Sequence, residues 1–119
     1  MTNQDIIGVD ILGRYWDICW VPDHLATDRY GHSDEVNSVI VIRQSLRGTQ
    51  AIDTLIHEIT HSISSMTDLD LTESQVTALG MAWAAVFRHN PELLEWIESQ
   101  CWQEDQRDYQ RRTRNTTEE

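Results

Sequence analysis

Residues 49 to 66 carry Ile52, Leu55, Ile56, Ile59, Ile63 and Met66 at intervals of three and four. That spacing returns side chains to one side of an α-helix. It predicts an amphipathic helix with a single apolar stripe and Thr49 as its N-cap. The stripe needs a surface to cover, and the preceding residues supply one. "VNSVIVIR", residues 36 to 43, is short and dense in β-branched side chains, the composition of a strand. "IIGVDILGRYWDICWV", residues 6 to 21, is rich in Ile, Val, Trp and Tyr, with Gly8 and Gly13 as breaks. It reads as one or two further strands ended by Pro22. Residues 23 to 35 are polar and read as a loop with at most a helical turn.

Beyond the helix, "TDLDL" at residues 67 to 71 breaks the pattern as a tight loop. Thr72 with Gln75 three residues later is a capping box that opens a second helix. Its expected buried stripe is Val76, Leu79, Gly80, Trp83, Val86 and Phe87, with Gly80 allowing close approach to another helix. Asn90 and Pro91 mark the start of a third helix, carrying Leu93, Leu94, Trp96, Ile97 and Cys101. Strands followed by helices predict an α+β fold, a small and mainly antiparallel N-terminal sheet with the helices packed on it. The 119 residues suit one domain over residues 1 to 102, fraying into a polar C-terminal tail over 103 to 119. The tryptophans read as core and core-edge aromatics. Cys19 and Cys101 sit among apolar neighbours and read as buried free thiols.

The formal net charge is −11, and all nine basic residues are arginine. Such a surface repels phosphate backbones, which excludes nucleic acid as a main partner. Arg107, Arg111, Arg112 and Arg114 are interleaved with Glu104, Asp105, Asp108, Glu118 and Glu119 and read as a mixed, solvated segment. No apolar run approaches the roughly 18 residues that span a bilayer. The opening "MTNQDIIGVDILG" has no basic region of the signal-peptide kind. A cytoplasmic protein with no membrane partner is the expectation.

The first helix contains His57-Glu58-Ile59-Thr60-His61, an H-E-x-x-H string. With His57 at 0° on the helical wheel, His61 lies near ~40° and the apolar stripe near ~200°. Both imidazoles therefore leave the side away from the core, one turn apart, where two nitrogens can reach one metal ion at about 2.0–2.1 Å each. Glu58, near ~100°, can approach a metal-activated water without ligating the metal itself. A catalytic zinc site needs a third protein ligand. Asp68, Asp70 and Glu73 are the candidates. Glu73 stands one turn before Val76 and continues the second helix's stripe, where a carboxylate needs a partner. That places Glu73 ahead of Asp70 and Asp68, which stay as alternatives. His89 falls nearly opposite Glu73 on the wheel, and His24 and His32 lie in the polar loop. Tyr15, Tyr30 and His32 are candidates for stabilising an oxyanion.

"TLIHEITHSI", followed by "LTESQVTALGMAW" and "NPELLEWI", resembles the small zincin-type metallopeptidases of bacteriophages and prophages, distant relatives of the ImmA/IrrE-type and SprT-like peptidases. The likeness covers about residues 30 to 98. It implies a zincin-like fold in which His57, His61 and Glu73 bind Zn2+ and Glu58 is the general base. The implied activity is zinc-dependent cleavage of a protein or peptide substrate, in the host cytoplasm if the chain is phage-encoded. An extended substrate would lie along the edge strand, expected to be residues 36 to 43. No zinc ribbon or basic extension of the SprT-like repair proteases follows, which counts against a DNA-linked role. A different expectation is a non-catalytic, zinc-stabilised acidic module that binds a host protein. Glu58 separates the two, because a purely structural site needs no carboxylate beside its histidines.

Overall fold

A computed structural model describes residues 6–26 and 30–117. Met1 to Asp5, Thr27 to Arg29 of the expected loop, and Glu118 and Glu119 of the expected tail lie outside the described residues. The chain forms two compact units, Met1–Ala84 and Ala85–Glu119. The first holds a four-stranded sheet, helix α1 (Gly48–Thr67) and most of helix α2 (Glu73–His89). The second holds the end of α2 and helix α3 (Pro91–Thr117). Among the described residues no helix is long and apolar enough to cross a membrane.

Strands β1 (Gly8–Ile11) and β2 (Arg14–Val21) form an antiparallel hairpin. Leu12 and Gly13 both have positive φ at its turn, and the Gly13 amide donates to Asp10 Oδ1 at 2.9 Å. Two left-handed residues give the turn whose twist matches that of the paired strands. Strands β3 (Gly31–Asp34) and β4 (Val39–Arg43) form a second antiparallel hairpin. Asp34 closes that turn by accepting from the amides of Val36 and Asn37 and from Asn37 Nδ2.

The sheet order is β1-β2-β4-β3, and the central pair β2/β4 is parallel. The sheet is therefore mixed: two of its three pairings are antiparallel, in line with the mainly antiparallel sheet the sequence suggested, and the parallel central pair was not expected. The difference arises at β3. "GHSD" lacks the β-branched residues of a strand and was expected to be loop. It becomes a strand by pairing with β4, a case of tertiary context overriding propensity. The chain lays β3 at the far edge and returns through β4 into the gap beside β2, so β2 and β4 run the same way. As a result β3 is an edge strand and β4 is interior, where the sequence suggested residues 36 to 43 as the edge.

The core lies between one sheet face and α1. Trp16, Ile18, Ile40 and Ile42 are buried, and Leu55, Ile59, Ile63 and Met66 of α1 pack against them. The predicted stripe of α1 thus covers the sheet, although Ile52 at its start is 38% exposed. The helix begins at Gly48 after Arg47, without a side-chain cap, so Thr49 is not the N-cap. Thr72 and Gln75 do form the expected capping box, each amide donating to the other's side chain. The buried stripe of α2 is Val76, Gly80 and Ala84. It is rotated from the expected one, so Leu79 and Trp83 are exposed. Of the five tryptophans only Trp16 is fully buried; Trp20 borders the core, and Trp83, Trp96 and Trp102 are exposed. Cys19 and Cys101 are free, as expected, but both are exposed.

In the second unit α3 stays helical through Thr117. Residues 103 to 117 are thus helix, where their polarity suggested a frayed tail. The division between the two units falls inside α2. Arg107 pairs with Glu104 and Arg111 with Asp108 on the helix surface, consistent with a mixed, solvated face. The Asn90 side-chain amide donates to the Val86 carbonyl, so it closes the end of α2.

Gly31 fixes how closely β3 approaches its neighbours. A Cβ there would stand 2.7 Å from the Val41 carbonyl oxygen and 3.1 Å from Thr54 Cγ2 of α1. Gly31→Ala is expected to lower stability by about 1–3 kcal/mol, the usual cost of overpacking, read as a shift of the urea midpoint at constant slope.

Candidate metal centre

Helix α1 presents His57 and His61 on the side opposite its packed stripe, and their rings meet edge to face with centroids 4.9 Å apart. Glu73, at the first position of α2, reaches both. Its Oε1 lies 2.9 Å from His57 Nε2 and its Oε2 lies 2.9 Å from His61 Nε2. One ligand atom from each of the three residues can be chosen with all three within 4.8 Å of one another. Zinc ligands at about 2.0–2.1 Å in a tetrahedron stand about 3.3 Å apart. The widest separation would have to close by up to about 1.5 Å for all three to share one ion. A donor set of two imidazoles and a carboxylate is one that zinc accepts.

The close approach of α2 to α1 depends on Gly80. A Cβ there would stand 3.2 Å from His57 Cα and 3.5 Å from its amide nitrogen. Helix α2 can therefore settle directly over the turn that carries His57, as the sequence suggested. Glu73 lies seven residues earlier, where α2 passes the histidine pair. Its side chain is 68% exposed. The expectation that a buried carboxylate required a partner is therefore not met, although the residue it selected is the one that converges. The stripe runs out at Val76, and Glu73 projects past its end into the groove.

A groove of about 920 Å³ surrounds the triad, bordered by Tyr30 to Ser33, by Asp53, Thr54 and Glu58 of α1, and by Thr77 and Met81 of α2. Glu58 is buried at 6% exposure and lines the same groove as the histidines. The described lining residues include the carboxylates Asp53, Glu58 and Glu73 and no arginine, an electrostatic setting that favours a cation.

Asp68 and Asp70 lie elsewhere. They line a smaller hollow of about 370 Å³ with Glu35, Ser64 and Ser65, on the other side of His61. Both have left-handed backbone, with φ of 59° and 51°, and neither joins the triad. His24 is exposed on a short 3-10 turn away from the groove. His89 belongs to the second unit.

Of the oxyanion candidates, Tyr30 and His32 border the groove and Tyr15 does not; strand register sets which side chains of β3 face α1. Gly31 and Ser33 pair with the buried Ile42 and Ile40 and share their face, toward α1. His32 and Asp34 pair with Val41 and Val39 and point to the other face. Hydrogen bonds from the Asn37 side chain, the Asn37 amide and the Val36 amide hold the Asp34 carboxyl below the usual aspartate range. Tyr30 stacks on Arg43 at 5.6 Å, beside β4. Tyr15 is exposed, its hydroxyl lying over Gly8 on β1, and does not line the groove. The edge-strand side chain on the groove face is Ser33, which sequence reasoning missed. The signal was its period-two relation to Gly31, invisible until β3 is known to be a strand.

Comparison with protein-family models, with characterised proteins and with solved structures finds no match for this chain.

If the three side chains share one ion, Glu73→Ala should weaken zinc binding at least tenfold while Asp70→Ala leaves it within about twofold. Competition with a chromophoric chelator reads this directly. The opposite order would place the third ligand in the loop.

Proposed function

We propose that this chain is a zinc-dependent peptidase of zincin type, with His57, His61 and Glu73 as metal ligands and Glu58 as general base. The observation that carries the proposal is the convergence of those three donors in the groove that also holds the buried Glu58. Zinc bound there would supply Lewis acidity, polarising a scissile carbonyl and acidifying a water molecule. The remaining work falls to the chain's own groups. Glu58 takes a proton from the attacking water and delivers it to the departing amine nitrogen. Its burial keeps the carboxylate in a low-dielectric setting where proton transfer is sensitive to its neighbours.

The substrate backbone has a natural place to bind. The Arg43 amide donates to the Tyr30 carbonyl. By the alternation of an antiparallel ladder, residues 30, 32 and 34 turn their main-chain groups toward β4, and Gly31 and Ser33 turn theirs to the open edge. An extended peptide can add to that edge through the N–H and C=O groups of Gly31 and Ser33. This moves the expected substrate strand from residues 36–43 to β3.

A second reading is a non-catalytic acidic module, stabilised by zinc, that binds a host protein. The −11 charge and the exposed Trp96, Trp102 and Tyr109 of α3 favour it. Glu58 distinguishes the two. On the peptidase reading, Glu58→Gln keeps zinc and lowers kcat on a peptide library by at least a thousandfold; on the module reading wild type cleaves nothing when fully loaded. Ser33→Pro removes an outward N–H that the sheet does not use. It should raise KM about tenfold with little change in melting temperature, and an unchanged KM would remove β3 as the substrate strand.

A further inference from the structure

The third ligand is delivered by a different segment from the first two, and a partly buried hydrogen bond joins the segments. Ser64 lies on α1 three residues after His61 and is 7% exposed. Its hydroxyl oxygen accepts the backbone N–H of Leu71 at 2.9 Å. Leu71 stands two residues before Glu73. We infer that Ser64 is a positioning residue for the metal centre, fixing the approach of Glu73 to the histidines through the Leu71 amide. The inference rests on the reading of His57, His61 and Glu73 as metal ligands.

Three observations carry it. First, Glu73 is not held by packing, because its side chain is largely exposed. Where its carboxylate sits depends on where the backbone of the first turn of α2 sits. Second, besides the burial of Val76, two approaches to α1 hold that backbone. One is the Ser64–Leu71 hydrogen bond and the other is the contact of Gly80 with His57. Glu73 lies two residues from the first point, three from Val76 and seven from the second, so the Ser64–Leu71 hydrogen bond is the tie nearest to it on its N-terminal side. Third, the connection from Asp68 to Thr72 contains two non-glycine residues in left-handed conformation, Asp68 and Asp70. Such a path persists when surrounding contacts hold it. The Thr72–Gln75 capping box then sets the direction in which α2 leaves.

Without the Ser64 hydroxyl, the Leu71 amide loses its partner and the loop can relax away from α1. Glu73 must then be ordered at the moment of metal binding, and affinity falls by the cost of that ordering. Losses of about tenfold or more are usual when groups that orient metal ligands are removed.

The test compares wild type with Ser64→Ala, Ser64→Cys and Ser64→Thr as full chains. Zinc affinity is read by chelator competition, cobalt coordination by the visible absorption of the Co2+-loaded protein, and folding by thermal melts before loading. The expected result is an affinity about tenfold weaker in Ser64→Ala, a smaller loss in Ser64→Cys, whose thiol is a weaker acceptor, and wild-type affinity within about threefold in Ser64→Thr. The cobalt spectrum should change in Ser64→Ala and be restored in Ser64→Thr. Should Ser64→Ala not fold, Ser64→Cys against Ser64→Thr makes the same comparison. Equal zinc affinity in wild type and the folded variants lacking the hydroxyl overturns the inference while leaving the metal reading intact. A wild-type chain that takes up no zinc overturns the metal reading, and this inference with it.

Discussion

The packing of α1 on the sheet is the contact on which the rest of the first unit depends. Leu55, Ile59, Ile63 and Met66 occupy one side of the helix and close over Trp16, Ile18, Ile40 and Ile42. Because a helix repeats every 3.6 residues, committing that side to the core leaves the opposite side for other work. His57 and His61 are placed there as a consequence. Any rotation of α1 that moved them into the core would expose its apolar stripe, at about 25 cal/mol per Å² of surface. The orientation of the histidine pair is thus held by the hydrophobic core and needs no hydrogen bonding of its own to define it.

The second constraint is distance. Two imidazoles on one helix cannot form a three-ligand site alone, so a second element must come close and carry a carboxylate at the right height. Gly80 removes the side chain that would separate α2 from His57, and the short loop after Thr67 returns the chain beside the same turns. The edge strand approaches from the other side by the same means, with Gly31 leaving room against Thr54. The groove is therefore bounded on two sides by glycine contacts with α1, and its polar lining comes from three different segments.

Much of this was legible in the sequence, for identifiable reasons. The stripe of α1, the hairpin strands around Gly13, the capping box at Thr72 and the close approach at Gly80 all follow from local patterns that survive folding unchanged. What depended on long-range pairing was not legible. The strand at Gly31–Asp34 has no strand composition and exists because β4 offers it a ladder; without it, the parallel central pair and the true edge could not be foreseen. Glu73 was identified through an argument from burial that its exposure does not support. Its side chain meets His57 and His61 because position on the wheel, one turn ahead of Val76, decides which way it leaves. The exposed Trp83, Trp96 and Trp102 show the limit of reading aromatics as core when a helix carries them on more than one side.

The most direct measurement is X-ray absorption at the zinc edge on purified, zinc-loaded protein. The result expected from the geometry is one zinc per chain with a first shell of nitrogen and oxygen only, at about 2.0–2.1 Å, and multiple scattering from two imidazole rings. Sulfur at about 2.3 Å, or a shell of oxygen alone without imidazole scattering, would contradict the assignment of His57, His61 and Glu73 as the metal centre.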